Sequence, residues 1–204
     1  MSAALDVVDR VGLDALTIRA VAAVVGAPPM SLYTHFANKE QLLDLMHLEL
    51  SRRLYPDPGQ VTWQTVLTAM TRHARATLLA HPEWTPLISR RAPPTPMPVR
   101  ERLLKLMVEA GMSSETALRG MSAALVSSIG LALVELTFRD PDGSSSFARR
   151  FERQKSWLLD QGDPKLEPTT REAFARMQQF EFDRSFEFTV KTLIDGLALG
   201  IRSG

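Results

Sequence analysis

The stretch TIRAVAAVVGAPPMSLYTHFANK, residues 17–39, decides the fold. Thr17 precedes Ile18, where its hydroxyl can accept from a main-chain N–H that the first turn of a helix leaves without a partner. Gly26 can end that helix in a left-handed turn. Pro28 and Pro29 suit the opening of a third, short helix running to about Phe36, because the first helical turn has no N–H partner to lose. Ala22 and Gly26 are four residues apart, so two helices can cross closely there, with Val21, Val25 and Leu32 filling the space between them. This is a helix-turn-helix pattern. Its second helix would enter the major groove with N-terminal residues at base edges, while the preceding helix crosses the sugar-phosphate backbone.

Outward from this stretch, apolar residues recur at helical spacing to both ends of the chain, and alternating strand patterns are hard to find, which predicts an all-α fold. Leu5, Val8 and Val11 share a face of a helix over residues 2–11, with Gly12 as its stop. Asn38 starts a fourth helix with Gln41 three residues on, a capping-box-like pair, and Leu42, Leu43, Leu45, Met46 and Leu50 carry its apolar stripe to near Tyr55. Pro56-Asp57-Pro58-Gly59 breaks any helix and marks a boundary between domains over residues 1–55 and 56–204. Beyond it the pattern predicts helices over about 63–80, from a Pro-rich connection at 93–98 to Ala110, over 114–138 and over 147–159. A loop over 162–168 then precedes one last long helix from Thr170 to Ile201.

The chain has 204 residues, with 45% hydrophobic and 23% charged side chains, a composition that excludes wholesale disorder and allows a real core. It contains no Cys, which excludes disulfides, thiolate zinc sites and cysteine nucleophiles. There is no uninterrupted apolar run of roughly 18 residues and no basic-then-apolar leader, so neither a membrane span nor a secretory signal is expected, and a cytoplasmic protein is. Lys plus Arg number 24 against 23 Asp plus Glu, so charge alone does not point to nucleic acid. Ser/His/Asp nucleophile arrangements, phosphate-cradling Gly-rich loops and paired carboxylates with acid-base spacing are not found, and no enzyme, cofactor or metal is expected.

The segment LTIRAVAAVVGAPPMSLYTHFANKEQLL, residues 16–43, resembles the DNA-binding motif of TetR-type transcriptional regulators, with Leu32-Tyr33, His35-Phe36 and Lys39 at the characteristic spacing. The region from Trp63 through Ala80-His81-Pro82, the Ala110-Gly111-Met112-Ser113 turn and Ile194-Asp195-Gly196 also resembles the C-terminal domain of the tetracycline-repressor subgroup. The resemblance implies an N-terminal three-helix helix-turn-helix DNA-binding domain and a C-terminal helical ligand-binding and dimerisation domain. It implies a homodimeric repressor that binds double-stranded, palindromic operator DNA and is released by a small-molecule effector. Carried over residue by residue, Thr17, Tyr33, His35 and Lys39 would hold phosphates, and Arg19, Pro29, Met30, Ser31 and Thr34 would face bases. Anchored on Trp63 and His81, the positions where a tetracycline and magnesium site would need an amide, an aromatic ring and an imidazole hold Met70, Ala74 and Ile88. His47, His73 and His81 are therefore not read as metal ligands.

Small residues at Ser122, Ala123, Ala124, Ser127, Ser128, Gly130 and Ala132 let another helix come near, and the resemblance pairs this helix and the last one with their copies across a two-fold axis. Met70, Trp84, Met107, Met121, Trp157, Met177 and Phe180 are the candidate lining of a pocket for an apolar or aromatic effector. Residues 1–53 carry Arg10, Arg19, Lys39, Arg52 and Arg53 against Asp6, Asp9, Asp14, Glu40, Asp44 and Glu49, a net of −1. That balance motivates an alternative from a different class, a helical small-molecule-binding protein with a non-functional DNA head. A helical enzyme is a second alternative, without a catalytic constellation behind it.

Overall fold

The computed structural model describes residues 1–57, 59, 62–88, 97–140, 142, 144–160, 167–177 and 181–202. Among them the fold is all-α, and the one strand-like feature is an isolated bridge between Arg139 and Ser145. The helices are α1 (Ser2–Val11), α2 (Ile18–Val25), α3 (Pro29–Leu32), α4 (Lys39–Leu54), α5 (Trp63–Ala80), α6 (Thr85–Ile88), α7 (Pro98–Glu109), α8 (Ser114–Thr137), α9 (Ser146–Asp160), α10 (Pro168–Arg176) and α11 (Phe182–Arg202), with a 3-10 turn over Pro82–Trp84 before α6.

Local chemistry sets most of these bounds. The side chains of Thr17, Asn38, Thr62 and Ser113 accept from the N–H groups of Ala20, Gln41, Thr65 and Thr116, satisfying donors at the starts of α2, α4, α5 and α8. Gln41 also reaches back, its Oε1 accepting from the Ala37 N–H at 2.6 Å, one residue earlier than in an ordinary capping box. Gly12 and Gly26 end α1 and α2 at φ 77° and 72°.

The sequence reading needs correction at several points. Val11 is 55% exposed, because each three-residue step falls about 60° short of a full turn and carries it off the face of Leu5 and Val8; Ala4 and Val7 are buried with those two instead. Val25 is also exposed: it is the last residue of α2, and the one-turn α3 does not cover it. Regular helix ends at Leu32 rather than Phe36, although turn-type bonds from His35 and Phe36 to the Leu32 carbonyl prolong it. The expected last helix is two: Met177 turns extended (φ −77°, ψ 103°) after α10, and α11 begins at Phe182. α10 packs on α9 and α11 on α8, so different partners hold the two pieces. Part of the expected loop over 162–168 and most of the Pro-rich connection lie outside the described residues.

One contiguous apolar core runs from Leu5, Leu42 and Met46 through Val66, Met70 and Leu78 to Leu103, Met121 and Ala132. α5 and α8 form its spine, with α4, α7 and α11 around them. By length and composition α8 is apolar enough to cross a bilayer, at a mean hydropathy of 1.6, which a search for uninterrupted apolar runs overlooks because Ser, Thr and Gly punctuate it. One side of it lines the core, where Ala117, Gly120, Met121, Ala124, Leu125, Ser128 and Ala132 are buried. At Gly120 a Cβ would stand 2.3 Å from Leu197 Cδ2, so the end of Leu197 occupies the space that a side chain on α8 would need.

Candidate nucleic-acid interface and effector cavities

The nine candidate DNA contacts, Thr17, Arg19, Pro29, Met30, Ser31, Tyr33, Thr34, His35 and Lys39, are all exposed. Leu32 and Phe36, interleaved with them, are buried and anchor the segment to the core. Met30, at 75% exposure, and Tyr33, at 46%, are apolar surface that the single chain leaves uncovered. Thr17 Oγ1 is engaged as a cap, accepting from Ala20 N–H at 3.1 Å. The Ser31 hydroxyl donates to the Pro28 carbonyl at 2.6 Å and the Thr34 hydroxyl to the Ser31 carbonyl at 2.7 Å. Each hydroxyl hydrogen is thereby committed inside the turn, and lone pairs are what Ser31 and Thr34 can offer outward. Lys39 is the first residue of α4, where its cation and the helix N-terminus face the same end.

Among the acidic side chains of residues 1–53, Glu49 and Asp9 are turned to structural work. Glu49 accepts from Arg53 Nε at 3.1 Å, and the Asp9 carboxylate lies 3.1 Å from His81 Nδ1. The second contact joins α1 to the end of α5 across 72 positions of sequence. His81 stacks on Trp84 with ring centroids 3.8 Å apart and planes 3° from parallel, and the Arg53 guanidinium stands 5.4 Å from the Trp84 ring centroid. Arg53 Nη2 also donates to Ser2 Oγ at 2.7 Å, and His47 Nδ1 bonds the Leu87 carbonyl at 2.7 Å. α1 and α4, which pack around α2 and α3, are thus fastened to the segment holding the 3-10 turn and α6. None of these long-range pairs has a signature in the sequence, where His47 and His81 are weighed as metal ligands and set aside. Among the described residues, no three His, Asp or Glu side chains gather as a metal site.

The seven candidate pocket residues separate. Met70, Trp84, Met107 and Met121 are buried in the body, whereas Trp157 is 57% and Met177 38% exposed, and Phe180 lies outside the described residues. Trp157 and Met177 belong to the α9–α10 hairpin, which packs chiefly on itself, so they do not join the other four. Two of the recesses among the described residues open on the surface. One, of about 520 Å³, is bounded by the end of α4, by α5 and by Trp84; the other, of about 400 Å³, lies between α5 and α11 around Arg72, Glu187 and Phe188. Of the seven candidates, Trp84 alone lines either of these two.

Arg75 of α5 ties three helices together. Its Nη2 lies 2.6 Å from both Glu135 of α8 and Asp183 of α11, and its guanidinium is 5.0 Å from the Phe186 ring centroid. The outer faces of the same helices are apolar and bare in the single chain: Leu118, Val126, Leu133 and Val134 on α8, Phe188 and Leu199 on α11.

Comparison with known proteins agrees with this architecture. Residues 1–46 match the family of bacterial regulatory proteins of the tetR type, and residues 55–200 match the tetracyclin repressor-like C-terminal domain. The tetracycline repressor protein class A from transposon 1721 of Escherichia coli is 28% identical over 96% of this chain and 87% of that protein. Among solved structures, the Streptomyces coelicolor TetR family protein ActR in complex with actinorhodin superposes with a TM-score of 0.72 at 28% identity, over 98% of this chain and 95% of the other. The same protein in complex with (S)-DNPA gives 0.72 at 27% identity over the same shares.

Proposed function

Since the chain belongs to the TetR family and is a helix-turn-helix transcriptional regulator with a tetracyclin repressor-like C-terminal domain, we propose that it represses transcription as a homodimer on a palindromic operator and is released by a small molecule. The observation that carries this reading is the set of nine exposed side chains on a turn locked by Thr17, Gly26, Leu32 and Phe36. Residues 1–55 act as the reading head and 56–204 as the sensing and dimerising body. Thr17, Tyr33, His35 and Lys39 hold phosphates and set register, while Arg19, Pro29, Met30, Ser31 and Thr34 meet base edges and set preference. With their hydrogens committed to carbonyls, Ser31 and Thr34 act as acceptors and favour the amino groups of adenine and cytosine.

The bare apolar faces of α8 and α11 support a four-helix interface between two copies, which spaces two heads for adjacent turns of the groove. The buried Met70, Trp84, Met107 and Met121 support an apolar or aromatic effector that enters the body. That ActR has been solved with actinorhodin is in keeping with this class. The mechanism is a population shift: an effector that prefers the body conformation with wrongly spaced heads weakens operator binding by its differential affinity and no more. The Asp9–His81, His47–Leu87 and Arg53–Trp84 contacts carry the shift from body to head.

The test is selection of random duplex DNA by the purified protein, followed by salt titration of the best sequence. A palindrome is expected, bound by the wild type with a steep salt dependence. Lys39→Ala lowers the slope of log affinity on log salt by about two, roughly 0.9 for each phosphate contact in a dimer, and Tyr33→Ala weakens binding. No enrichment from a folded dimer would replace this reading with that of a small-molecule-binding protein whose net-acidic head does not bind DNA.

A further inference from the structure

We propose that the recess of about 520 Å³ between head and body is a second small-molecule site, for a planar aromatic carboxylate, separate from the interior Met70 region. α5 turns two faces to different surroundings. Met70, Ala74 and Leu78 are in the core, whereas His73, Ala76 and Ala80 are on the exposed side and line the recess with Arg53, His81 and Trp84. Its volume lies within the range of roughly 300–1,000 Å³ usual for ligand pockets.

Its chemistry is one-sided. Among the described residues Arg53, His73 and His81 line it and no carboxylate does. Arg53 gives Nε to Glu49 and Nη2 to Ser2, and its Nη1 has no partner among the described residues. His81 gives its Nδ1 hydrogen to Asp9, which leaves Nε2 of the neutral ring an acceptor, so the free donors are on Arg53 and on His73, which has no hydrogen-bond partner among the described residues. An independent observation points the same way: Trp84 is 1% exposed, and its indole Nε1, a donor only, has no acceptor among the described residues. A carboxylate supplies the acceptors this wall lacks, and charge-assisted bonds to guanidinium and ring N–H groups are the stronger kind. The shape selects a flat ring. Ala76 and Ala80 leave a shallow floor, and the parallel His81–Trp84 pair offers a ring face on which a third aromatic can stack.

Occupancy has a structural consequence, because Arg53 belongs to the head's last helix while His73, His81 and Trp84 belong to the body. A ligand bridging them holds the two at one angle and changes operator affinity. That regulatory consequence rests on the operator-binding reading; the binding site itself does not.

The experiment uses the full chain, labelled with nitrogen-15 and titrated with 2-naphthoate without DNA. The chain has three indole N–H signals, from Trp63, Trp84 and Trp157, and Trp84→Phe identifies its own by loss. Saturable movement of the Trp84 signal is expected, with 2-naphthamide binding about tenfold more weakly because it has no charge. Ala76→Leu and, separately, Ala80→Leu fill the recess from helical surface positions and should abolish the shift while the melting temperature stays unchanged. A Trp84 signal that does not respond, an amide that binds as well as the acid, or undiminished binding in both leucine variants overturns the proposal. Operator affinity is then measured with and without 2-naphthoate. A protein that binds 2-naphthoate but no DNA keeps the site and loses the regulator reading, and one that binds DNA but shows no Trp84 shift does the reverse.

Discussion

Replacing Gly26 by alanine isolates the turn that aims α3. Gly26 sits at φ 72° and ψ 30°, and a Cβ built there meets no heavy atom within 4 Å. Collision with neighbours and loss of packing are therefore both absent, and the cost is that of holding an L-residue in the left-handed region, about 1–2 kcal/mol. Alanine also stiffens the unfolded chain, an effect worth ~0.4–1 kcal/mol where the native conformation suits it, so the offset here is partial at most. The net loss is about 1 kcal/mol, which for a chain of this length lowers the melting temperature by about 2–4 °C. Asparagine enters the same region more readily, so Gly26→Asn should fall between the two. Calorimetry and urea unfolding at one fixed protein concentration measure both variants, since self-association shifts apparent stability. An alanine variant as stable as the wild type, or an asparagine variant less stable than the alanine one, would refute the reasoning, because backbone strain is the one cost left.

Val126→Arg places a charge on the bare face of α8, and we expect a monomer by sedimentation with operator affinity reduced about a hundredfold or more as the second half-site is lost; a dimer with wild-type affinity would remove α8 from the interface. Arg75→Met strips the nearest cation from Glu135, which is 15% exposed, and leaves Arg139 at 3.7 Å. The expected loss is about 2–3 kcal/mol, less than for a fully buried pair, and adding Glu135→Leu should restore most of it in a double-mutant cycle. Burial pushes the Tyr55 phenol from 10.0 up to about 12, against an opposing pull from Arg100. The raised value belongs to the folded state, so its contribution is complete below pH 10 and disappears as pH rises through about 12, worth about 2–3 kcal/mol in all. In Tyr33→Phe, where Tyr55 is the remaining tyrosine, the phenolate absorbance of the folded protein should reach its midpoint near 12; a midpoint near 10 would contradict the burial.

How much of this could be read in advance depended on whether the deciding interaction was local. Thr17, Asn38 and the glycines at 12 and 26 act within four residues, and the helices they bound came out where the pattern put them. α3 was overrun because four residues carry no periodicity and the turn after it keeps bonding to Leu32. The break before α11 was invisible: residues 176–182 contain neither Pro nor Gly, and what separates the pieces is that α9 holds one and α8 the other. The candidate DNA contacts follow from motif spacing and do fall on exposed positions. The pocket did not follow, since methionine and tryptophan suit cores, cavities and bare surfaces alike, and Met70, Trp84 and Trp157 sit in three different settings. Contacts such as Asp9 with His81 leave no trace in a one-dimensional pattern.

The α9–α10 hairpin divides the chain into two energetic tiers. Neither helix contains a buried residue; they hold each other through the stacked Phe151 and Phe174, and α9 is rooted by Phe147 against Phe138 and Phe182. Opening such a unit exposes none of the core that α5 and α8 share, so its amides should trade hydrogen for deuterium by a local excursion far cheaper than global unfolding. The same thinness of attachment makes it the part of the molecule most forgiving of insertion or drift, where a lineage could alter its surface without disturbing the spine beneath.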